Sequence, residues 1–222
     1  MQSQPGAPSF VPTSRSKVAR IPARASYDRA LAYSILDQAL FCSVGFALDG
    51  QPFVIPMAYA RWDDRLLLHG ALASRLTKSG AAGLPLAVSV TLLDGLVLAR
   101  SAFHHSLNYR SVVILGSATE LVDREEKLTA SRLLVEHVQK GRAALCRPPN
   151  EKELAATRIL ALPIEEASVK VRSGGPLDDD DDLGVECWAG HLPLALCAGA
   201  PVPDAAHPPL SPVPEALLHY RR

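Results

Sequence analysis

Residues 41–70 read FCSVGFALDGQPFVIPMAYARWDDRLLLHG. Phe41 to Leu48 is an apolar run that ends at Asp49-Gly50, a dipeptide suited to the left-handed backbone of a two-residue hairpin turn. Pro52 to Trp62 is the returning run. Asp63-Asp64 turns the chain again into Arg65 to Gly70. Turns this short force antiparallel pairing, so a parallel βαβ sheet does not fit. Pro56 interrupts the second run, which points to an edge, a bulge or a place where a ligand approaches the backbone.

Working outward, Leu86 to Leu93 reads as a buried strand and Asp94-Gly95 as a second tight turn. Leu96 to Phe103 and Ser111 to Leu121 read as further strands, and Ile159 to Val171 as extended. Helices flank them. Ser26 can cap a helix with Tyr27, Leu31, Ile35 and Ala39 along one stripe. A short helix runs from near Ala73 to Gly80. Asp123 with Glu126 opens a helix that carries Leu128, Leu134, Val135 and Val138 and ends at Gly141, and Asn150 with Glu153 caps another. The expected fold is mainly β, a small barrel of short strands with helices packed outside. Residues 1–24 read as a flexible arm, 25–200 as the domain and 201–222 as a Pro- and Ala-rich tail. The acidic run Asp178 to Asp182 reads as a solvated loop, with a metal site as the lesser alternative.

The chain has 222 residues, of which 48% are hydrophobic, enough for one domain with a real core. Its 23 basic and 23 acidic residues balance, so nothing electrostatic points to nucleic acid or an anionic membrane. Cys42, Cys146, Cys187 and Cys197 form no C-x-x-C pair, and the first residues lack the apolar segment of a secretory leader. Free thiols in a cytoplasmic setting are expected.

Two groups of residues could carry chemistry. In His69-Gly70-Ala71-Leu72-Ala73-Ser74-Arg75-Leu76-Thr77-Lys78 a strand ends and a helix begins. Free N–H groups, the Ser74 hydroxyl and the Arg75 and Lys78 cations suit a terminal phosphate. An ordinary capped helix with basic surface residues is the other reading. The second group is the polar cassette Phe103 to Ser111, set between apolar runs as a ligand wall or a plain loop. Its adjacent His104 and His105 would point to opposite faces of a strand, which argues against one shared metal, and no metal site is expected. No Walker loop, G-x-G-x-x-G or G-x-S-x-G motif is present.

Taken in order, YDRALAYSILDQA, GQPFVIPMAYAR, LLLHGALASR, TLLDGLVLARSAFHHSLNYRSVVILG, PIEEASVKVRSG and WAGHLPL resemble the pyridoxamine 5′-phosphate oxidase-like split barrels. The similarity runs from about Arg20 to Pro203. It is strongest to the flavin-nucleotide-binding branch that includes nitroimidazole-resistance proteins. The resemblance implies a six-stranded antiparallel split β-barrel and a homodimer with FMN at the interface. It places Ile55, Pro56, Met57 and Ala58 beside the isoalloxazine, Leu68, His69 and Gly70 along the flavin and ribityl chain, and Ser74, Arg75 and Lys78 at the phosphate. Asn108, Tyr109, Arg110 and Ser111 would come from the partner subunit, with Ser111 where the oxidases carry a Gln. Trp188 would match the Trp of the oxidases' E-F-W-Q-G, with a buried core Trp as the equal alternative. The oxidases' following Arg-x-His pair is replaced here by His191-Leu192-Pro193, which argues against vitamin B6 oxidation.

The implied activity is FMN-dependent oxidoreduction of a small molecule. His69 is the first choice to tune the flavin or donate a proton, ahead of His104 or His105. A non-catalytic flavin- or haem-binding module for storage, sensing or scaffolding is the reading from another class.

Overall fold

The computed structural model describes residues 8–206 and 211–220. In chain order the helices and strands are β1 (Ala25–Ser26), α1 (Arg29–Gln38), β2 (Phe41–Leu48), β3 (Gln51–Trp62), β4 (Arg65–Ala71), α2 (Arg75–Ala81), β5 (Pro85–Leu98), β6 (Ser106–Ser117), β7 (Thr119–Glu120), α3 (Arg124–Val138), α4 (Glu151–Ala156), β8 (Thr157–Pro163), β9 (Glu166–Arg172), β10 (Gly190–Pro193) and α5 (Glu215–Leu218). Two compact units share the chain. The first takes the residues up to Leu92 together with Asn108–Gly174, and the second takes Leu93–Leu107 with the residues from Gly175 onward. Parts of the expected arm and tail (1–7, 207–210 and 221–222) lie outside the described residues.

The first unit is the antiparallel, mainly β architecture with flanking helices, of the split-barrel type. Its strand order is β1-β9-β6-β5-β2-β3-β4-β8-β7. With the short edge strands and β10 the described residues hold ten strands, against the six expected. The hairpin that set this fold pairs Phe41 with Ala58 through to Leu48 with Gln51. Asp49 and Gly50 both take positive φ, 52° and 77°, as a two-residue turn of the right twist requires.

Alternation along the strands divides the core. Cys42, Val44 and Phe46 face inward from β2 and meet Tyr59, Leu66, Leu68, Val88, Val112 and Ile114 in one cluster. Leu67, Ala60, Ile159 and Ala161 point to the other side, where Ala130 and Leu134 of α3 cover them. α1 supplies Ala32, Ile35 and Leu36 to the first cluster. Phe10 is also buried there, its N–H donating to the Tyr27 carbonyl, and the Arg29 guanidinium lies over its ring. Thr13 and Arg15 both bind the Glu166 carboxylate. This part of the N-terminal segment is therefore packed on the sheet.

Several local readings are corrected. Asp28, not Ser26, caps α1, its carboxylate accepting from Leu31 N–H at 2.7 Å, while the Ser26 hydroxyl accepts from Asp28 N–H. α3 ends at Val138 rather than Gly141. Asp94-Gly95 is no turn, because β5 runs straight through it. In the second unit β10 pairs with this end of β5, Gly190 opposite Leu98 through Pro193 opposite Gly95. A Cβ on Gly95 would sit 2.8 Å from the Leu192 carbonyl oxygen, so that glycine serves close strand approach. The stretch 159–171 is two strands, broken at Ile164-Glu165.

Candidate functional site

β4 and α2 build the first part of the site. Leu66, Leu68 and Gly70 share the inward face of β4, and Leu68 is wholly buried in the first core. Gly70 pairs with Arg158 inside the strand and has an ordinary φ. Its lack of a side chain matters for packing, since a Cβ there would meet Thr77 Cγ2 at 2.8 Å. Thr77 is itself fixed, its hydroxyl donating to the Ala71 carbonyl at 2.7 Å.

This packing sets the start of α2 beside the end of β4. Ser74 is its N-cap residue, but its hydroxyl makes no capping hydrogen bond. The exposed Arg75 guanidinium stacks 4.5 Å from the Phe53 ring centroid, which brings α2 beside β3. Neither Arg75 nor the exposed Lys78 has an ion pair among the described residues. The two lie three apart on one helix face. A hydroxyl without a capping bond, two cations without an ion pair and the N–H groups of a first helical turn form a donor set that fits a phosphate.

His69 lies near the end of the same strand, two residues before Ala71, on the face that carries Leu67. Its ring makes no hydrogen bond among the described residues. Although the residue is exposed to solvent, its partial burial holds the imidazole pKa below the usual value, so the neutral form is favoured. A neutral imidazole with free nitrogens can bind a metal or accept a proton.

The β3 quartet splits by face. Ile55 and Met57 turn inward and pack on the first core. Pro56 and Ala58 turn outward beside Ser43 and Phe41 of β2. Phe41 and Val54 on this outer face are 61% and 69% exposed, so an apolar strip is open to solvent.

The cassette is not a loop along its length. Ala102–His104 is a single 3₁₀ turn, and β6 begins at Ser106. His104 and His105 therefore do not alternate as strand neighbours. Asn108 faces the core, 6% exposed. Its Oδ1 accepts from Arg172 Nη1, and its Nδ2 donates to the Gly174 carbonyl at 3.0 Å. Arg172 is equally buried, and desolvation followed by the charge of Arg24 lowers its pKa. Arg110 donates to Gln38 of α1 at 2.5 Å. Tyr109 and Ser111 lie on the opposite face, with the Ser111 hydroxyl donating to the Lys170 carbonyl at 3.3 Å. Asn108 and Arg110 thus position β6, while Tyr109 and Ser111 point away from the core. The Arg172 contact lies 64 residues from Asn108. Its one sequence cue is a cation at a core-facing strand position.

In the second unit Trp188 is 68% exposed, not a core residue. The acidic run is tied down by Asp178, which accepts from the Arg100 N–H and guanidinium at 2.8 and 2.9 Å. Asp180–Asp182 forms a 3₁₀ turn. His104 Nε2 lies 3.1 Å from Asp179, and donor atoms of His104, Asp179 and Asp182 fall within 4.8 Å of one another, a grouping that the sequence spacing does not reveal. His105 Nδ1 meets the Ser101 carbonyl at 2.9 Å. No helix among the described residues is long and apolar enough to cross a membrane.

The pyridoxamine 5′-phosphate oxidase family matches residues 28–171. Among solved structures, the flavocytochrome Anf3 from Azotobacter vinelandii is 39% identical, with 98% of this chain and 99% of that one covered and a TM-score of 0.88. The FAD- and haem-binding protein from Mycobacterium smegmatis is 35% identical over 88% of this chain and 96% of that one, with a TM-score of 0.82. A candidate 5-nitroimidazole antibiotic resistance protein from Bacteroides thetaiotaomicron shares the fold at 22% identity, covering 66% and 86% of the two chains, with a TM-score of 0.55. No curated protein matches the chain.

Proposed function

The chain belongs to the pyridoxamine 5′-phosphate oxidase family, and from that premise we propose that it is a homodimeric oxidoreductase that carries a flavin and a haem. One observation carries this reading. Two proteins that share more than a third of their residues with this chain, over nearly all of it, are named for haem-containing flavoprotein character. Flavin binding follows from the family and from both relatives. The flavin is FAD in this proposal, as in the name of the mycobacterial relative, where the sequence motifs alone suggested FMN.

The donor set fits. Ser74, Arg75 and Lys78 offer a hydroxyl with no capping hydrogen bond and two cations without an ion pair among the described residues to a flavin phosphate. His69 offers a neutral imidazole to haem iron or to a substrate proton. Such groups supply redox chemistry when bound, while the protein orients and holds them. The outer strip of Phe41, Pro56 and Val54 supports the dimer, because contiguous exposed apolar surface marks an interface. The small-molecule acceptor is the remaining element of the proposal.

The test is purification followed by an absorption spectrum, chromatography of the flavin released on denaturation, and haem assay per chain. FAD and haem together are expected, and the Ser74→Ala, Arg75→Ala double variant should bind flavin at least about tenfold more weakly. His69→Ala should lose the haem band and keep flavin. A protein that takes up neither FAD nor FMN on titration overturns the reading. Light scattering should give twice the chain mass, and Val54→Asp should halve it.

A further inference from the structure

The outer side of α3 carries a cavity of about 660 Å³, roofed by the segment that leads into α4. This is within the size range of small-molecule pockets, roughly 300–1,000 Å³. Its wall is mostly apolar, with Leu128 and Val135 from α3 and Pro148 and Pro149 from the roof. None of the residues assigned above to the flavin or haem lines it. It is a separate feature of the first unit.

Charge within this wall is uneven. Arg147 and Glu153 neutralise each other through a two-pronged pair at 2.5 and 2.8 Å. Glu136, one turn along α3 from Arg132, gives its carboxylate to the N–H groups of Gly141 and Ala143. That leaves Arg132, which lines the cavity and has no hydrogen bond or ion pair among the described residues, acting on the nearby Glu136 carboxylate through charge alone. An apolar wall with one forked cation whose N–H groups make no hydrogen bond is complementary to a molecule with a hydrocarbon body and a single anionic head.

We propose that this cavity binds a small amphipathic carboxylate, its chain against Leu128, Val135 and the two prolines and its carboxylate on Arg132. The exposed thiol of Cys146 also lines the cavity and reports on occupancy.

The test uses the purified protein with whatever cofactors it holds, and decanoate as the probe. Calorimetric titration should show saturable binding at one site per chain. Arg132→Gln should weaken it at least tenfold, and Val135→Asp should abolish it. Decanoate should slow alkylation of Cys146 by N-ethylmaleimide, read by peptide mass spectrometry, while Cys197 reacts at an unchanged rate. Flavin content should be the same in both variants, so failure here is distinct from failure of the cofactor proposal. Absence of both binding heat and Cys146 protection at millimolar decanoate overturns the proposal, as does undiminished binding in Arg132→Gln.

Discussion

Replacing Gly70 by Ala puts a methyl group where the Thr77 side chain already sits. The added Cβ would lie 2.8 Å from Thr77 Cγ2, well inside contact distance. Thr77 cannot swing freely, because it is buried and its hydroxyl is bound to the Ala71 carbonyl. Overpacking of this kind costs about 1–3 kcal/mol. Loss of glycine's freedom in the unfolded chain returns about 0.4–1 kcal/mol, since the φ of Gly70 suits any residue. The net expectation is roughly 1–2 kcal/mol of destabilisation, a fall in Tm of about 2–8 °C for a protein of this size. Thr77→Ser deletes the clashing methyl and keeps the hydroxyl. Alone it should cost about 0.5–1.5 kcal/mol, like other single-methyl deletions in a core. Combined with Gly70→Ala it should restore stability, so the two changes together cost less than their sum. Urea unfolding of the four proteins reads the coupling. Strictly additive effects, or a Gly70→Ala protein as stable as the parent, would refute the steric account of Gly70. Flavin affinity should fall with stability and return in the double variant, because Gly70 sets the start of α2.

Asn108→Ala should cost about 1–3 kcal/mol in urea unfolding, because it strips a buried acceptor from the Arg172 guanidinium. An unchanged midpoint would mean that solvent replaces the contact. His69 predicts a pH effect in the cofactor-free protein. Its folded pKa lies below the ordinary 6.5, so the unfolded chain takes the proton first as pH falls. The associated stability is full above about pH 6.5 and is lost as pH drops toward the lowered folded value. His69→Asn should remove that part of the slope, and an identical pH dependence in both proteins would contradict it. Thiol titration with a disulfide reagent should count three reactive cysteines in the native protein and four after unfolding. Burial pushes the Cys42 thiol up to about 12, whereas Cys146, Cys187 and Cys197 are exposed. Four fast thiols in the native state would show that β2 opens readily.

The β2–β3 hairpin was legible because alternation and the Asp49-Gly50 turn are local and agree. Asp94-Gly95 shows the limit of the same cue. The dipeptide is identical, but β10, arriving from Gly190–Pro193, makes it the interior of a strand. Ser26 and Asp28 are both good caps two residues apart, and only the actual start of the helix chooses between them. In the site, the Ser74-Arg75-Lys78 group could be read from a strand-to-helix transition. The commitment of Asn108 to Arg172 could not, since nothing local links residues on β6 and β9. Nor could the α3 cavity, whose wall joins a helix to the segment after it and whose Arg132, without a hydrogen bond or ion pair among the described residues, stands out only once its neighbours are paired.

Phe10 and Glu166 give the N-terminal segment a particular history during synthesis. Phe10 meets Tyr27 and Arg29 early, but the Thr13 and Arg15 contacts to Glu166 cannot be completed until β9 has left the ribosome. At translation rates of about 5–20 residues per second that delay is on the order of ten to thirty seconds. Through that interval the Thr13 and Arg15 side chains lack their carboxylate partner, and β6, once made, waits with one edge unpaired until β9 arrives.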